Sequence, residues 1–159
     1  MNSIRSIINR INLPSGVSIG FTKPLRMREK LRILNVGRIQ KKYLKKVLYH
    51  EPVLIRDTSV APAIKTIDLE NLIGINRQEG YLNWVQALGS LQKGINFDLL
   101  RKHGLPSFEQ FVLNGSTVTL PQVIKKDGKY YVEGDGKHRL TLAKCCGLKR
   151  AQVEVVVAQ

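Results

Sequence analysis

Residues 121–158 leave the chain few ways to fold. Val123 and Ile124 are a short apolar run, and Lys126-Asp127-Gly128-Lys129 is a hairpin turn in which Gly supplies positive φ. Residues 130–133, Tyr-Tyr-Val-Glu, return as the partner strand. Gly134-Asp135-Gly136 then breaks the extended chain. A helix follows from about Lys137 to Cys146, closed by Gly147 as its C-terminal cap, and the valine-rich run 151–158 reads as a buried strand. Strand, turn, strand, glycine loop, helix, strand is the order of an α/β (α+β) domain.

The charge is concentrated elsewhere. Of 26 Lys and Arg against 12 Asp and Glu, residues 1–50 hold 12 bases and one acid, Glu29, a net of +11. Residues 51–159 hold 14 bases and 11 acids, a net of only +3. The chain therefore divides into a basic, mainly helical segment, 1–60, and a nearly balanced domain, 61–159. Pro52 and Pro62 bracket the join. An overall +14 calls for a polyanion: nucleic acid, a nucleotide or an anionic membrane surface. No apolar run approaches the ~18 residues of a membrane span. The two cysteines, Cys145 and Cys146, are neighbours and make a poor staple, which points to a reducing compartment, the cytoplasm.

Within the basic segment, residues 1–12 read as a short helix ended by Pro14, and 25–49 as a longer one with Gly37 as its weak point. At ~100° per residue, Ile39, Tyr43, Leu44 and Val47 share one side of the second half. Arg38, Lys41, Lys42, Lys45 and Lys46 share the other, with no acid interleaved. A solvated face is the usual fate of a charge run; one this purely basic reads as a phosphate-binding face for DNA or RNA. Its apolar side lacks Trp and Phe, which makes an anionic bilayer the second choice.

In the domain, 64–69 reads as a strand, and 79–91 as a helix with Leu82, Val85, Leu88 and Leu91 as its apolar stripe and Trp84 in the core. Short helices are expected near 97–102 and 108–113.

The segment Glu133-Gly134-Asp135-Gly136-Lys137-His138-Arg139 carries the most chemistry. A helix N-terminus presents backbone N–H groups and the positive dipole end, glycines let an anion approach closely, and Arg can fork onto two phosphate oxygens. On the helix, His138 and Arg139 fall on the side of Leu142, Cys145 and Cys146. Lys137, Thr141 and Lys144 fall on a different side, expected to be more exposed. Turn chemistry alone would also explain the glycines.

Gly134-Asp135-Gly136-Lys137-His138-Arg139-Leu140, Ala143-Lys144, Gly147 and the valines from Val153 to Val157 resemble the signature box of the ParB/sulfiredoxin-like superfamily. Pro121-Gln122-Val123-Ile124 and the Asp127-Gly128 turn match the strand pair before that box. Ile67-Asp68-Leu69-Glu70-Asn71-Leu72 and Asn76-Arg77-Gln78 are a weaker match to the family's opening strand and arginine box. The resemblance implies a small mixed β-sheet with packed helices that binds a nucleotide or a nucleic-acid phosphate at the glycine loop. Its members include CTP-dependent DNA clamps, ATP-dependent sulfinic acid reductases, serine kinases and nucleases. Carried over by position, Gly134, Gly136, His138 and Arg139 would contact phosphate, beside Lys137, and Arg77 could complete the contact. The tentative cofactors are CTP or ATP with Mg²⁺. Lys137 stands where the sulfiredoxin branch has its cysteine, which argues against that chemistry, and no helix-turn-helix follows the box.

A nucleotide- and Mg-dependent enzyme (nuclease, NTPase or phosphotransferase) of the same fold is the alternative. Glu133, Asp135 and His138 are its candidate catalytic residues; Glu133 and Asp135 could hold Mg²⁺ beside a bound phosphate, or be simply a strand-end acid and a helix cap. Asp68 and Glu70, two apart and expected on one strand face, are candidate metal ligands. Whether the chain forms an oligomer is left open.

Overall fold

The computed structural model describes residues 25–46, 53–76, 81–91, 95–114, 119–134 and 136–159. The expected helix at 1–12, Val47, Arg77 and Asp135 lie outside them.

The valine run is an interior strand of a five-stranded mixed sheet. Strands β1 (Ala63–Asp68), β2 (Leu72–Ile75), β3 (Gln122–Lys126), β4 (Lys129–Glu133) and β5 (Arg150–Val157) lie in the order β1-β5-β3-β4-β2. β1 is antiparallel to β5, β3 is parallel to β5, β3 and β4 form an antiparallel hairpin, and β2 is parallel to β4. The hairpin turns as expected: Asp127 has φ 50° and Gly128 φ 75°, the paired positive values of a two-residue turn. Its register aligns Val123 with Val132 and with Val155 of β5, so these valines share one face of the sheet. That face carries the main core.

Helices cover it. They are α1 (Met27–Ile33), α2 (Arg38–Lys46), α3 (Trp84–Ser90), α4 (Ile95–Leu113) and α5 (Lys137–Cys145). Trp84, Leu88, Phe97, Leu140 and Leu142 join Val123, Val132 and Val153 in one buried cluster. Leu34, after α1, and Leu44 of α2 belong to the same cluster. A strap beginning at Val53 pairs with the strand ends. Asn76 exchanges bonds with the backbone of Leu54 (2.7 and 2.9 Å), and the Asp57 N–H donates to the Val157 carbonyl (2.8 Å).

Several sequence expectations change. The single helix over 25–49 is two: Asn35, at φ 53°, bends the chain between α1 and α2. Leu82 is 73% exposed, because Asn83 caps α3 with its side chain and that helix starts only at Trp84, after Leu82, rather than at 79. The two short helices expected over 97–113 meet at Gly104, whose φ of 79° breaks the run before Pro106. β2 was not foreseen, and it displaces the expected strand face of Asp68 and Glu70. β1 ends at Asp68, and Glu70 lies in a 3₁₀ turn, Leu69–Asn71, that leads into β2.

Candidate nucleic-acid and phosphate sites

On α2 the side that meets the core is narrow. Leu44 is fully buried, and it alone of the nine residues is. Arg38, Lys42, Lys45 and Lys46 are exposed and Lys41 is half-buried, so the five predicted cations remain together on the outward side. Ile39 is 88% exposed and Tyr43 is also exposed, contrary to an apolar side turned inward as a whole. A helix lying across the rim of a core can bury only one ridge of side chains, and here that ridge is Leu44.

The segment is fastened by a residue that sequence reasoning missed. Lys30 of α1 is 3% exposed, and its ammonium donates to the carbonyls of Leu88 (3.1 Å), Gly89 (3.2 Å) and Leu91 (2.5 Å). These carbonyls end α3, where acceptors are left over and the dipole favours a cation. The Phe97 ring lies 5.8 Å from the same ammonium. Burial lowers the pKa of Lys30. Among so many lysines, nothing in the sequence marks this one.

At the start of α5, Gly134 has φ 60° and Gly136 φ 105°. A Cβ on Gly136 would lie 2.4 Å from Cβ and 2.7 Å from Cα of Pro121, so this glycine is required by its contact with the chain entering β3. A Cβ on Gly134 would lie 3.4 Å from the side-chain oxygen of Gln122. The turn therefore accounts for both glycines.

The charges that follow are held by aromatic rings. Lys137 donates to the Tyr81 hydroxyl, with its ammonium 4.6 Å from the centre of that ring. The Arg139 guanidinium lies 4.5 Å from the centre of the Phe111 ring. Lys137, His138 and Arg139 are half-buried. The expected exposed side of this helix does not exist: Thr141 and Lys144 are buried, because α3 and α4 pack over α5. Lys144 donates to the Leu69 carbonyl (2.5 Å), and its ammonium sits 5.8 Å from the Trp84 ring. Burial lowers its pKa to about 8, with the Glu70 carboxylate acting in the opposite sense. Burial raises the Cys145 and Cys146 thiols to about 12, so neither is a thiolate near neutrality.

Glu70 and Glu133 are not brought together. Glu133 accepts a hydrogen bond from Asn76 (2.5 Å) at the end of β4. Glu70 belongs to the 3₁₀ turn whose Asn71 accepts from Lys129 (3.1 Å), at the beginning of that strand. At ~3.3 Å per residue these ends are about 13 Å apart. Among the described residues no group of three His, Cys, Asp or Glu side chains could hold a metal ion. Asp135, the expected partner of Glu133 in holding Mg²⁺, lies outside the described residues.

No family model matches this chain, and no curated protein or solved structure does. Its class is therefore the one its fold defines: a mixed α+β protein, with a five-stranded sheet and five helices among the described residues. No described helix is long and apolar enough to cross a membrane.

Proposed function

We propose that this chain is a nucleic-acid-binding protein that grips the phosphate backbone of DNA or RNA with the outward face of α2. The observation that carries this reading is the cluster of Arg38, Lys41, Lys42, Lys45 and Lys46 on a helix whose opposite side is anchored in the core by Leu44. Like charges so placed repel one another, and a polyanion relieves that repulsion while releasing its own counterions. Reversing Lys41, Lys42, Lys45 and Lys46 together weakens binding to unrelated sequences alike. It also flattens the salt dependence by about 0.9 in log–log slope per lost duplex contact. A filter-binding series in which affinity and slope both survive refutes the reading.

A nucleotide at the start of α5 is the second reading. It is favoured by Lys137 and Arg139 both lying in the first turn that follows the glycine turn. The order β3, β4, glycine turn, α5, β5 also agrees with the ParB/sulfiredoxin-like resemblance. CTP or ATP would then lie against Gly134, Gly136, Lys137, His138 and Arg139. Under this reading CTP, ATP or GTP raises the melting temperature of the wild type and not that of Arg139→Ala. A wild type unmoved by all three, with or without Mg²⁺, removes it and leaves the α2 reading intact.

A further inference from the structure

The bend at Asn35 opens a groove of about 430 Å³ between α1 and α2, within the ~300–1,000 Å³ of clefts that take small ligands. Its cationic rim is Arg28 and Arg32 from α1 and Lys41 from α2. Its apolar lining includes Met27, Leu31 and Val36, which pack on the core from below and remain half-exposed above. No acid lines it. The one acid of α1, Glu29, is turned to its own helix start, where it accepts from the Arg26 N–H (2.9 Å). Arg28 and Arg32 are four residues apart, hence neighbours on one helix face about 5–6 Å from each other at Cβ.

We infer that this groove binds single-stranded nucleic acid, receiving an unstacked base on the apolar floor while Arg28, Arg32 and Lys41 hold the flanking phosphates. The inference rests on the proposed grip of α2 and deepens it, because Lys41 belongs both to the groove and to the α2 face. A duplex keeps its bases stacked and meets a protein through its backbone, so a concave apolar floor adds nothing to duplex binding. Single strands offer bases that can be splayed out, and π-faces and apolar walls reward that. A bilayer would instead call for a broad apolar surface, and α2 exposes only Ile39 and Tyr43.

The test is fluorescence anisotropy on the full chain with a labelled 12-nucleotide oligo-uridine, an abasic strand of equal length and a 12-base-pair duplex. Cosedimentation with phosphatidylserine-containing vesicles runs beside it. The oligo-uridine binds about tenfold more tightly than the abasic strand. Arg28→Glu with Arg32→Glu, both exposed, abolishes that difference without lowering the melting temperature. Equal affinity for base-bearing and abasic strands overturns the inference, as does a preference that survives the double substitution. So does vesicle binding lost through the same two substitutions while oligo-uridine binding persists. If the α2 reversal abolishes duplex and single-strand binding while no base preference exists, the groove fails and the α2 grip stands.

Discussion

α2 and α5 are both cationic helices, and they use their charges in opposite ways. On α5 the ammonium of Lys137 is spent on Tyr81, that of Lys144 on the Leu69 carbonyl, and the Arg139 guanidinium covers Phe111. On α2 a single buried leucine fastens the helix and the cations project outward. The two differ in what surrounds them. α5 lies between the sheet and two helices, whereas α2 lies at the rim of the helical layer. A basic motif in a central helix is consumed largely by packing, and the same residue types on a peripheral helix remain available to a partner.

The comparison breaks first at the glycine turn. Gly136→Ala combines a left-handed backbone with a Cβ inside Pro121, and lowers stability by roughly 2–5 kcal/mol. It is read as a lower urea midpoint at unchanged slope. A variant as stable as the wild type would mean that the turn holds α5 loosely, and the contrast with α2 would dissolve. Lys30→Met comes next. It keeps the stem but strips the donor from three carbonyls at the end of α3, at a cost of about 1–3 kcal/mol by calorimetry. An unchanged stability would show that the basic segment does not depend on this anchor.

A pH series sharpens the account of α5. Lys144 has its pKa lowered to about 8 by burial, so between pH 8 and about 10.4 the unfolded chain holds a proton that the folded chain has released. Stability contributed by this group therefore rises across that window. Cys145 and Cys146, raised to about 12, act in the opposite direction above about pH 8.5, so the comparison is made against Lys144→Met. The wild type gains on that variant as pH rises from 8 to 10; a constant difference contradicts a buried amine. Smallest of all is Ile39→Ser on the exposed side of α2, within about 0.5 kcal/mol of the wild type in the same melts.

The hairpin, α5 and the valine strand were legible because each is specified locally. Asp127-Gly128 suits paired positive φ, Gly147 at φ 77° caps the helix end, and a run of valines demands a buried strand. The basic face of α2 was legible for the same reason, since helical periodicity alone groups its five cations. Which cations stay outside was decided by tertiary structure. Lys144 and Lys30 look like surface lysines in sequence and are buried, because each meets backbone carbonyls supplied by segments about 60 to 75 residues distant. The same holds for Gly136, where the clash comes from Pro121 across the turn, and for β2, whose four residues become a strand only through pairing with β4. The sequence by itself determined the local elements and the grouping of charge. Burial, the bend that opens the groove and the separation of Glu70 from Glu133 came from long-range packing, which no local pattern encodes.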